Sequence, residues 1–181
     1  AIPCHKVPLA LNAHLPEDVA VTACREVPLD FHARYDCCGK EYCYLVHNSP
    51  VRDPFLEGLA WRYPHRLDDQ ALDHGAKVFL GTHDFSAFCS SGPTVEDPVR
   101  TLYSFQVRRQ GDLVRFVVRG DGFLYNMVRI LVGTLVQASE KGYTPEMLGE
   151  ILSSKERSRA GRTAPPWGLY LNRVFYSRQE L

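Results

Sequence analysis

Two β-rich runs at residues 102–109 and 113–119 flank Gln110-Gly111-Asp112, and an apolar helical pattern starts almost directly after the second run. No other feature of the sequence restricts the fold as tightly. Glycine supplies the positive φ that a short turn between twisted strands requires, so the two runs read as an antiparallel hairpin. In the segment that follows, Phe123, Leu124, Met127, Ile130, Leu131 and Leu135 recur in a wide apolar stripe. The spacing predicts a buried helix with Asp121 or Gly122 as its N-cap and Gly142 as its stop.

Strand signals recur at residues 19–27 and 40–46, where Tyr42, Tyr44 and Val46 alternate with Cys43 and Leu45, giving one aromatic face. Residues 68–80 read as a helix behind two acidic first-turn residues, with Gly81 as its C-cap. Thr144-Pro145-Glu146 opens another helix, whose apolar face is Met147, Leu148, Ile151 and Leu152, and residues 168–176 close as a strand. Strands and helices mingle without a βαβ rhythm. The expected class is therefore α+β: an antiparallel sheet with helices packed on one face and the other face open to a ligand. A length of 181 residues, 45% of them hydrophobic, is enough to bury a core.

Charge excludes a generic polyanion-binding tail, since 21 basic residues balance 21 acidic ones, but the balance is uneven along the chain. Residues 1–98 hold 8 Lys and Arg against 14 Asp and Glu, while residues 99–181 hold 13 against 7, so an anionic partner would meet the second half. The most apolar run, Ile130 to Val136, is too short to cross a bilayer, and no targeting segment opens the chain. With six dispersed cysteines, a cytoplasmic protein with reduced thiols and no membrane role is expected. The first residue is Ala, as in a processed chain or a piece of a longer one.

Common catalytic signatures fail one by one. Cys37, Cys38 and Cys43 stand near His32 and His47 in sequence, but without the paired short spacings that zinc requires. There is no Gly-x-Ser-x-Gly and no glycine-rich phosphate loop. Arg119-Gly120-Asp121 spells an adhesion tripeptide at a strand-to-helix junction, where a glycine turn and an aspartate cap are needed anyway. The informative residues are Tyr42 and Tyr44, whose rings either stack bases beside a basic rim or belong to the core. Arg129 stands among Met127, Val128, Ile130 and Leu131. A buried guanidinium needs a partner, either a structural Asp or Glu or a catalytic carboxylate that the arginine keeps ionised.

Six segments in order resemble the tRNA pseudouridine synthases of the A type. They are Leu11-Asn12-Ala13-His14-Leu15-Pro16-Glu17-Asp18, Phe31-His32-Ala33-Arg34-Tyr35, Lys40-Glu41-Tyr42-Cys43-Tyr44, residues 81–88 (beginning Gly81-Thr82-His83-Asp84-Phe85), residues 122–133 (Gly-Phe-Leu-Tyr-Asn-Met-Val-Arg-Ile-Leu-Val-Gly) and residues 164–171 (Ala-Pro-Pro-Trp-Gly-Leu-Tyr-Leu). The resemblance implies isomerisation of a flipped uridine in the tRNA anticodon arm, a homodimer, and no cofactor or metal. It assigns stacking on the uracil, and a later proton step, to Tyr42. It pairs Arg129 with the essential carboxylate and sets Leu169 beside the site as an apolar contact. Arg34 and Phe85 fall in matching segments and are expected at the RNA, whereas Asp84 reads equally as a cap. Gly39-Lys40-Glu41 is less basic than the family pattern before Tyr42, which would weaken phosphate contacts.

The family's essential Asp stands in a Gly-Arg-Thr-Asp segment upstream of the Asn-Ala-x-Leu-Pro block, and these 181 residues contain no such segment. Glu17, Asp18, Asp30 and Asp36 lack that context. Residues 1–181 are therefore expected to be a C-terminal portion of a synthase that contacts RNA without turnover. A non-catalytic RNA-binding module and a purely structural domain with both tyrosines buried are the rival readings.

Overall fold

The computed structural model describes residues 2–90 and 96–180, and the chain divides into two units, residues 1–36 and residues 37–181. In the first unit a 3-10 turn, Cys4–Lys6, leads into the short helix α1, Val7–Asn12. The Asn12 side chain bonds Val21 in both directions, accepting from its N–H at 2.7 Å and donating to its carbonyl at 2.9 Å. The strand expected at residues 19–27 is not formed. Its valines are β-prone, but no ladder partner stands beside them among the described residues, and Val19 and Val27 are exposed.

The second unit is built on β1, Gly39–His47. The elements that follow are β2 (Trp61–Arg62), α2 (Asp69–Ala76), β3 (Gly81–Asp84), β4 (Val99–Gln110), β5 (Leu113–Gly120), α3 (Met127–Lys141), α4 (Pro145–Ser154) and β6 (Leu169–Phe175). The sheet order is β2-β1-β5-β4-β3, with β6 pairing β1 along the edge that β2 shares. All the pairings are antiparallel except β1–β2, which is parallel at Val46↔Trp61 and His47↔Arg62. The expected antiparallel sheet is therefore a mixed one, within the expected α+β class.

The hairpin forms as its turn chemistry dictates: Gln110 pairs Leu113, and Gly111 takes φ 58° at the first position of the two-residue loop. Beyond β3, the edge of β4 is covered by α2. Asp73 accepts from Val107 N–H at 2.8 Å, Lys77 donates to the Phe105 carbonyl at 2.9 Å, and Arg109 pairs with Asp69 at 2.9 Å. These side chains do the work of an absent strand and close the edge. Asp68 caps α2, which gives way to a 3-10 turn over Lys77–Phe79 instead of running to Leu80 as expected, and Gly81 opens β3 rather than capping the helix.

Leu102, Phe105, Val107, Phe116, Val118, Tyr44 and Val46 face a core shared with α2, α3 and α4. The aromatic face of β1 is thus the helix-covered one. The other face is uncovered, as expected: exposed Arg108 and Arg115 stand opposite one another on it. Burial extends almost around α3, from Met127 to Ala138. The helix ends at left-handed Gly142, as predicted, but begins at Asn126 rather than Asp121 or Gly122. Asp121 is occupied elsewhere, accepting from Thr101 N–H at 2.9 Å.

Candidate active site

Tyr42 and Tyr44 point to the same side of β1, two residues apart, yet they have different surroundings. Tyr44 is fully buried and donates its hydroxyl to the Pro165 carbonyl at 2.6 Å, so of the two readings it takes the core one. Tyr42 lies where the helical cover runs out, between Val118 of β5 and Leu171 of β6, and is only half-buried. Phe123 meets its ring edge-on at 5.0 Å between centroids, which fixes the tilt of the phenol. Burial pushes the Tyr42 hydroxyl above the ordinary tyrosine range, so it stays protonated at neutral pH. The β1–β6 register shifts between Glu41 and Tyr42, a bulge of the kind that re-aims side chains beside sites.

Arg129 lies in the first turn of α3 and is half-buried. Its Nε donates to the Ala164 carbonyl and its Nη1 to Asn126 Oδ1, each at 2.7 Å. Of the two partners the sequence allowed, neither a structural nor a catalytic carboxylate stands there: among the described residues no Asp or Glu forms an ion pair with this guanidinium. Neutral oxygens satisfy two of its edges instead.

The segment bearing Ala164 is held tightly against α3. Ala164 N–H donates to the Arg129 carbonyl, and Gly161 N–H donates to Thr134 Oγ1 at 2.9 Å. Gly133 permits this approach, because a Cβ there would lie 1.8 Å from the Arg162 carbonyl oxygen. The same segment receives the Tyr44 hydroxyl and runs on into Leu169, which pairs with Tyr44 and packs half-buried against the core. One segment therefore holds the Tyr44 hydroxyl, the Arg129 guanidinium and the start of β6 together.

A family model for tRNA pseudouridine synthase matches residues 76–177. The tRNA pseudouridine synthase A of Acetivibrio thermocellus is 45% identical over 175 residues, covering 97% of this chain and 72% of the relative. "tRNA pseudouridine synthase A 2" of Clostridium tetani is 42% identical, covering 97% and 71%, and the Geobacillus enzyme is 42% identical, covering 92% and 67%. The chain belongs to the tRNA pseudouridine synthases.

The remaining residues that matched the synthase pattern are placed unevenly. Phe85 is fully buried against Phe88 and His83, so it underlies the core and is not exposed to RNA; the expectation of an RNA contact is corrected. Asp84 caps the turn that follows, accepting from both Ser86 N–H and Ser86 Oγ, and pairs with Lys155 at 2.9 Å. Burial raises its pKa, but these donors outweigh burial and hold it below the usual range. Arg34 belongs to the first unit, its guanidinium 5.7 Å from the Tyr35 ring.

Phe123 and Asn126, which touch Tyr42 and Arg129, were expected only as part of the helical stripe and of the segment 122–133, because their contacts come from the fold and not from local spacing. On the uncovered face the nearly buried Glu41 accepts from Arg119 and Asn172, which hold it ionised against the penalty of burial. Among the described residues no three or more His, Cys, Asp or Glu gather as metal ligands, and no helix is long and apolar enough to cross a membrane.

Proposed function

We propose that residues 1–181 form the C-terminal, uridine-isomerising portion of a synthase acting on the tRNA anticodon arm, with the carboxylate that Arg129 serves provided by a Gly-Arg-Thr-Asp segment outside these residues. The observation that carries this reading is the guanidinium of Arg129. It is fixed through Nε and Nη1 on neutral acceptors, and among the described residues none accepts from Nη2, which is free for an anion. A carboxylate brought to that edge would pair with the guanidinium and stay ionised.

Isomerisation breaks the N1–C1′ bond of uridine, forms C5–C1′, removes the C5 proton and leaves N1 protonated. Tyr42, half-covered and edge-supported by Phe123, offers a face on which a flipped uracil stacks away from water. Its protonated hydroxyl suits a relay that gains and gives a proton at once. Leu169 supplies the apolar side wall. RNA contact along the basic second half, a homodimer, and a cytoplasmic location suited to six thiols complete the reading. The homodimer is checked by sedimentation.

The test is tritium release from [5-³H]uridine in an anticodon-arm RNA. The 181-residue chain should bind the RNA and release nothing. The protein made from the whole reading frame should release tritium, and Arg129→Ala should abolish that release. Turnover by the 181 residues alone would overturn the reading that the carboxylate lies outside them. A whole reading frame that binds RNA but never turns over would favour the non-catalytic module.

A further inference from the structure

Asn126 breaks two local rules at the start of α3. It is one of two non-glycine residues with positive φ among those described, at φ 60°, and its side chain caps no amide of the helix it precedes. A left-handed backbone at such a residue and an unused asparagine cap both cost stability, and such features persist where the surroundings demand them. The side chain is engaged elsewhere. Oδ1 accepts from Arg129 Nη1 at 2.7 Å and Nδ2 donates to Ser90 Oγ at 3.0 Å. The amide orientation follows from chemistry, because a guanidinium only donates and must meet the oxygen. Ser90 is itself anchored, its N–H donating to the Tyr125 carbonyl at 3.1 Å.

We infer that Asn126 is the positioning residue for Arg129. It grips the guanidinium at Nη1 while the Ala164 carbonyl grips Nε. The two contacts, on different edges, fix the plane of the group and aim Nη2 at the carboxylate. A single contact at Nε would leave the guanidinium free to swing about its terminal torsion. The inference rests on the reading of Arg129 given above, and it assigns the left-handed turn a purpose: helical backbone at residue 126 would direct the amide elsewhere.

The experiment is a double-mutant cycle on the protein made from the whole reading frame, read by tritium release. Asn126→Gly removes the acceptor while keeping a residue at ease with positive φ. It should lower kcat by about 10- to 100-fold, the loss seen when one preorganised contact is removed, with KM for the RNA changed less than twofold. In an Arg129→Lys background the same substitution should cost less than threefold, because the contact it removes is already lost. Ser90→Ala, which frees the amide to rotate without touching the turn, should lower kcat several-fold and guards against misfolding of the first variant. Equal losses from Asn126→Gly in both backgrounds, or a rise in KM at unchanged kcat, would overturn the assignment. Full activity in Arg129→Lys and Arg129→Ala would instead sink the reading of Arg129 itself.

Discussion

A tyrosine two residues from another on one strand face would ordinarily share its fate, and here the end of the helical cover separates them. Tyr42 offers a ring face, whereas Tyr44 is a buried strut tied to the Pro165 carbonyl. Tyr42→Ala should therefore weaken binding of an anticodon-arm RNA about tenfold, in line with roughly 1–3 kcal/mol for one stacked base. Tyr42→Phe should keep that affinity, both read by fluorescence anisotropy. Tyr44→Phe should show the opposite pattern: unchanged RNA affinity, but a lower melting temperature. It leaves the partly buried Pro165 carbonyl without its protein donor, at a cost of about 0.5–1.5 kcal/mol.

At the scale of elements, the close approach of residues 161–164 to α3 is what gives the site its rigidity. Gly133→Ala would drive a methyl into the Arg162 carbonyl, and we expect a loss of more than about 3 kcal/mol in urea melts, at the upper end for overpacking. Gly149→Ala in α4 is the control. Its nearest neighbour would be Val78 at 3.8 Å, so the helix should gain about 0.5–1 kcal/mol. The elements legible in the sequence were those with a local cause, such as Gly111 in the hairpin and Thr144-Pro145 at the start of α4. Residues 19–27 looked like a strand from side-chain type alone, and type cannot provide a ladder partner. The start of α3 was misread because Asp121 is a fine cap by composition but bonds Thr101 across the hairpin instead. Tyr42, Arg129 and Leu169 entered the candidate site through the resemblance. Asn126 did not, since its contact with Ser90 exists only when the fold brings that residue back from 36 positions away in sequence.

Across the whole molecule, charge should act on stability and on the proposed RNA binding with distinguishable signatures. Arg109 holds Asp69 below the ordinary carboxylate range; Asp73, Asp84 and Glu41 sit there too, their donors overcoming burial. Each such group stabilises the fold fully above its unfolded pKa, near 4, and the contribution is lost as pH falls through the lower folded pKa. Stability from these groups should thus be level from pH 7 to about 5 and fall below about 4, as a pH series of thermal melts would show. The proposed RNA binding would depend on cations instead. Arg108 and Arg115 face one another across β4 and β5, a like-charge pair that disfavours the free sheet and welcomes an anion. Each phosphate neutralised releases condensed counterions, so log affinity should fall linearly with log salt, by about 0.7 to 0.9 per contact. Stacking releases none. Tyr42→Ala should therefore lower the line at every salt concentration by the same tenfold and leave its slope unchanged. A slope near zero in the unaltered chain would mean that the basic half never touches phosphate, and a slope changed by Tyr42→Ala would mean that the ring positions the backbone rather than the base.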